Sequence, residues 1–139
     1  MFGLFQKAIS PNLIFKTLQK KIYKISKERV FMPKFTCNEI EIYYEIHGEG
    51  YPLVLIAGLG CDMSIWDPIL DLLKRHFKII IFDNRGVGRS SSPSQPYTIS
   101  DMALDTWNLI AKLELHKPHV LGHSMGGVYF TRNGKIRSR

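Results

Sequence analysis

Cysteine is scarce in this chain of 139 residues: Cys37 and Cys61 are the only two. Two thiols make neither a disulfide framework nor a metal set, which excludes a cross-linked secreted miniprotein and fits a reducing, cytoplasmic setting. Long apolar runs are missing as well. No stretch approaches about 18 uninterrupted apolar residues, and the first residues lack the apolar core and small-residue cleavage site of a secretory signal. Neither a membrane span nor secretory export is expected. Internal repeats are absent, and the low-complexity content is confined to residues 90–96, SSSPSQP. With 45% hydrophobic and 12% aromatic residues, however, the chain has enough apolar matter for a packed core, which rules out a wholly disordered protein.

Acidic residues are rare only at the two ends. Residues 1–31 hold seven Lys or Arg against Glu28 alone, and residues 131–139 hold Arg132, Lys135, Arg137 and Arg139 with no acid. Residues 32–130 carry eight basic and eleven acidic side chains, so the overall charge of +7 belongs to the ends and does not mark the body as a nucleic-acid binder. The chain therefore divides into a basic N-terminal extension, 1–31, a body, 32–127, and a basic tail, 128–139. In the extension, Phe15, Leu18, Ile22 and Ile25 recur at helical spacing, with Lys16, Lys20, Lys24 and Lys27 on the other side. A helix over about 12–29, begun near Pro11, would be amphipathic and suited to an anionic membrane surface. An arm packed on the body, or translation from a start upstream of Met32, accounts for the same pattern.

From Met32 onward the periodicity changes. Ile40, Ile42, Tyr44 and Ile46 alternate with Glu39, Glu41, Tyr43 and Glu45, which predicts an antiparallel or near-edge strand with one face in water. Leu53 to Ala57 (LVLIA), Lys78 to Phe82 (KIIIF) and His119 to Leu121 are short continuous apolar runs, the mark of parallel strands buried on both faces. Helix signals fall between them. Asp67 and Pro68 read as N-cap and first helical residue, and Thr98 with Asp101 reads as a capping box ahead of a stripe formed by Ile99, Met102, Ala103, Leu109, Ile110 and Leu113. Strands alternating with helices predict an α/β fold with a mostly parallel sheet, an antiparallel entry hairpin and flanking helices.

The densest chemistry lies in residues 119–127, HVLGHSMGG. Gly122, Ser124 and Gly126 form a GxSxG pattern directly after an apolar run, the strand-to-helix setting this motif needs. A Ser in so tight a turn requires glycines beside it, because a Cβ there would strike the neighbouring backbone. Other candidates read differently. Residues 83–90 (DNRGVGRS) lack the third glycine of a dinucleotide loop and the Lys of a Walker loop, so no cofactor is expected there. His47 falls in the hairpin turn, His123 reads as a packed ring, Asp101 and Asp105 as helix-dipole and surface charges, and Trp66 and Trp107 as core.

GHSMGG resembles the nucleophile elbow of the α/β-hydrolase family. The likeness extends upstream through DNRGVGRS to residues 57–66 (AGLGCDMSIW), covering about 34–127, and its flavour is that of 3-oxoadipate enol-lactonases and arylesterases. The resemblance implies Ser124 as nucleophile, Leu59 and Met125 as backbone N–H donors of the oxyanion hole, and Gly122, Gly126 and Gly127 as elbow glycines, acting on a small ester or lactone. Ala57 stands where many members have His. The family's order is Ser, acid, His, and here again something is missing: residues 125–139 contain no Asp, Glu or His, and His47, His76, His116, His119 and His123 all precede Ser124. The expectation is therefore the N-terminal half of an α/β-hydrolase, truncated and inactive alone. Its elbow strand would become an exposed sheet edge prone to self-association, and Asn133-Gly134 would end the elbow helix early.

Overall fold

A computed structural model describes residues 33–128 of the chain. The basic extension over 1–31, its helix, and the tail beyond residue 128 with its Asn133-Gly134 turn lie outside the described residues. The three apolar runs become β3 (Tyr51–Ile56), β4 (Phe77–Phe82) and β5 (His119–Gly122), with β4 and β5 each pairing in parallel with β3. Ahead of them β1 (Lys34–Cys37) and β2 (Ile40–His47) form an antiparallel hairpin, and β2 continues antiparallel onto β4. The sheet order is β1-β2-β4-β3-β5, a mixed sheet of five strands with the antiparallel entry hairpin and the parallel strands anticipated from the sequence.

The crossovers cover both faces. A 3₁₀ turn (Met63–Trp66) runs into α1 (Asp67–Leu73) between β3 and β4, and α2 (Ile99–Lys112) links β4 to β5. Strand alternation sends Val54, Ile56, Ile80 and Phe82 to the face that holds Met102, Ala103, Leu109 and Ile110 of α2. Leu53, Leu55, Ile79 and Ile81 go to the other face, with Met63 and Trp66. Each such isoleucine, fully buried, contributes about 1.5–3 kcal/mol, which explains why runs of consecutive apolar residues, with no polar alternation, sit at the sheet's centre.

The capping box of α2 forms as expected: the Thr98 hydroxyl accepts from the Asp101 N–H, and the Asp101 carboxylate accepts from the Thr98 N–H at 2.7 Å. At the other crossover the cap moves. Asp62 caps the 3₁₀ turn by accepting from Ser64 N–H at 2.9 Å, Trp66 occupies the N-cap of α1, and Asp67 becomes a first-turn acid. With the 3₁₀ turn running straight into it, α1 begins one residue earlier than the sequence suggested. The water-facing side predicted for β2 is also partly wrong: Tyr43 is buried while Ile46 is exposed. The segment after β4 folds back over β2, placing the Arg89 guanidinium 3.8 Å from the centre of the Tyr43 ring.

Parallel register fixes where the chemistry lies. Ile56 pairs with Gly122, and Leu55 with Ile81, so the segments after β3, β4 and β5 leave the same end of the sheet side by side. The loop after β3 lies between the other two.

Candidate active site

Ser124 follows β5 at φ 53°, in the left-handed region that non-glycine residues rarely occupy. Two close approaches force this turn. A Cβ on Gly122 would collide with the backbone of Gly126 and Gly127, and one on Gly126 would collide with the Ile56 carbonyl. Gly127 differs, since a side-chain carbon there would sit 3.8 Å from the Gly122 carbonyl, an ordinary contact. Gly122 and Gly126 are thus needed for space, and Gly127 is not. The turn is closed by bonds from Gly126 N–H to the His123 carbonyl at 2.9 Å and from Gly127 N–H to the Ser124 carbonyl at 3.0 Å. Met125 is the first residue of the helical turn that follows, where backbone N–H groups have no partner inside the helix.

The loop after β3 is brought against this elbow. His123 N–H donates to the Ile56 carbonyl at 2.9 Å, and a Cβ on Gly58 would lie 3.3 Å from Ser124 Cβ. Gly58 to Cys61 forms a turn closed by Cys61 N–H on the Gly58 carbonyl at 3.2 Å, with Gly60 at φ 69° in the third position, where a type II turn requires glycine. Leu59 occupies the second position of that turn, whose N–H takes no part in the closing bond, and the residue is 73% exposed. A hydroxyl on a strained turn with a glycine backbone packed against it has the setting that attack on a carbonyl calls for.

His123 is exposed, contrary to the packed ring expected, and stands edge-on to Trp66 with ring centroids 6.5 Å apart. Trp66 itself is buried, as anticipated. Asp105 is the plainest correction. It is buried, and its carboxylate accepts from Arg85 Nε at 2.6 Å and Nη2 at 2.7 Å. That bidentate bond raises the Arg85 guanidinium above its ordinary value, against the opposing effect of burial. Asp105 lies three residues after Met102 and four before Leu109, so its place on the buried stripe was visible in the spacing. Its acidity argued for the surface until its Arg partner was known.

Sequence reasoning drew residues 83–90 into the family likeness but gave no individual role to Asp83 and Asn84, which sit buried just after β4. Asp83 accepts from the Met63 N–H at 2.8 Å, and the Asn84 amide donates to the Ala57 carbonyl at 3.3 Å. Two polar residues directly after an apolar strand were the available signal. Among the described residues, no group of three or more His, Cys, Asp or Glu could hold a metal ion.

A family model described as alpha/beta hydrolase fold matches residues 51–131. The chain is 35% identical over 97 residues to the RutD protein of Azorhizobium caulinodans, named for carbamate hydrolysis; the match covers 70% of the chain and 37% of that protein. A Synechocystis protein named as a non-heme chloroperoxidase is 40% identical over 94 residues, covering 67% of the chain and 34% of its own length. The crystal structure of the enol-lactonase from Burkholderia xenovorans LB400 superposes with a TM-score of 0.66 at 37% identity, over 70% of this chain and 39% of that one. The chain thus spans between 34% and 37% of the length of these two curated relatives.

Proposed function

The chain belongs to the α/β-hydrolase family, and from that premise we propose that it carries the nucleophile and oxyanion loop of a serine hydrolase acting on a small ester or lactone. The observation that carries this reading is Ser124 at φ 53° with the Gly58 backbone against it. In the proposed reaction Ser124 Oγ attacks the acyl carbonyl, and the oxyanion so formed accepts from the N–H groups of Leu59 and Met125. Collapse expels the alkoxide and leaves an acyl-enzyme, which water hydrolyses. Losing one oxyanion donor costs roughly 10²-fold or more in rate. The enol-lactonase among the relatives supports the lactone class, and the strained turn supports the choice of nucleophile.

The Oγ proton needs a base. No Asp, Glu or His lies among residues 125–139, so the 139-residue chain taken alone is proposed to be catalytically silent. Loss of the base in serine hydrolases costs on the order of 10⁶-fold. The chain alone is expected to show neither fluorophosphonate labelling nor p-nitrophenyl acetate turnover. Joined after Val128 to the corresponding C-terminal part of the Burkholderia enol-lactonase, it should gain turnover that Ser124→Ala abolishes. Turnover by the chain alone, lost in Ser124→Ala, would sink the silent reading; a joined protein indifferent to Ser124→Ala would sink the nucleophile.

The charge pattern of residues 1–31 favours a second role, binding to anionic lipid. Sedimentation with phosphatidylserine vesicles is expected for the full chain and lost on deletion of 1–31, and equal sedimentation of both would remove this role.

A further inference from the structure

The loop after β3 has to hold one N–H in place although it contains Gly58 and Gly60, the residues with the most backbone freedom to lose. It is held at both ends by two adjacent side chains that directly follow the neighbouring strand β4. At its start, Asn84 Nδ2 donates to the Ala57 carbonyl at 3.3 Å. At its finish, Asp83 Oδ1 accepts from the Met63 N–H at 2.8 Å, where the 3₁₀ turn begins.

Both anchors are themselves fixed. Asp83 and Asn84 are buried, with relative exposures of 0% and 2%. The Asp83 N–H donates to the Tyr43 carbonyl at 3.0 Å, and its own carbonyl accepts from Ser90 Oγ at 2.6 Å. Its second carboxylate oxygen accepts from the Arg89 N–H at 2.9 Å. Gly88, at φ 55°, lets this turn close, since a Cβ there would collide with the Asp83 carboxylate.

We propose that Asp83 and Asn84 are positioning residues for the oxyanion loop, clamping its two ends so that the Leu59 N–H is set beside Ser124. This rests on the nucleophile reading above and adds the device that aligns its electrostatic partner. The reason for such a device is quantitative: donors stabilise an oxyanion only when already aimed, and a misplacement of about 1 Å can cost roughly 10²-fold. Neither residue touches the reacting atoms.

The test is amide hydrogen exchange and ¹H–¹⁵N spectroscopy on the full 139-residue chain. In Asn84→Ala, exchange of the bonded Cys61 and Met63 N–H groups should rise roughly tenfold while Leu109 and Ile110 of α2 stay protected. The Leu59 amide resonance should move although Leu59 bonds neither anchor. Asp83→Ala should free the Met63 N–H in the same way, and Asp83→Asn, which keeps an acceptor for it, should lie closer to wild type. Should Asp83→Ala fail to fold, Asn84→Ala decides alone. Loop exchange at the wild-type level in Asn84→Ala, or rising no further than that of α2, overturns the proposal. The joined enol-lactonase protein separates the two ideas: a clamp that behaves as expected beside an inert Ser124 overturns the nucleophile reading only.

Discussion

Glu45 is kept in its charged form by three neighbours. The Tyr43 hydroxyl donates to it at 2.8 Å, the His47 ring lies 2.9 Å away, and Arg89 lies 3.3 Å away. Partial burial acts the other way, yet the bonds and charges win and the carboxyl sits below its ordinary 4.5. Being more acidic folded than unfolded, it lends stability that is complete above 4.5 and drains as pH falls through the lower folded value. Thermal melts should therefore lose midpoint below that pH, and Glu45→Gln should flatten the loss. Asp105 works at the same scale with larger stakes. Removing one partner of a buried, hydrogen-bonded pair costs about 3–5 kcal/mol, so Asp105→Ala should lower the urea midpoint sharply. Pairing Asp105→Leu with Arg85→Met should recover most of it, because neither charge is then stranded.

At the scale of the element, the elbow places two glycines next to each other with opposite requirements. Gly126→Ala drives a Cβ into the Ile56 carbonyl and should destabilise by roughly 2–3 kcal/mol, as overpacking against backbone does. Gly127→Ala has room and lies in the helical turn, so it should stabilise by about 0.5–1 kcal/mol. Differential thermal melts of the two variants measure the contrast. The elements most legible in the sequence were those set by local rules: apolar runs for β3, β4 and β5, and Thr98 with Asp101 for the start of α2. What escaped was set by distant partners. Asp105 needed Arg85, Tyr43 needed the turn that brings Arg89 onto its ring, and Asp83 and Asn84 needed a loop some twenty residues earlier. The Asp67 cap failed for a local reason, since an extra 3₁₀ turn started at Asp62.

For the molecule as a whole, the sheet order places β3 between strands that follow it at very different distances. Its pairing with β4 closes a short crossover, whereas the bond from the Tyr51 hydroxyl to the Lys117 carbonyl, at 2.6 Å, ties residues 66 apart. Long closures are costly before their contacts form, so β5 is the natural last strand to join. The turn that holds Ser124 at a left-handed φ depends on Ile56 of β3, which accepts from His123 and abuts Gly126. The order of assembly among the described strands thus follows from the register: the loop after β3, with its bonds to Asp83 and Asn84, is completed by β3 and β4, and Ser124 is set in its left-handed turn only when β5 docks beside β3.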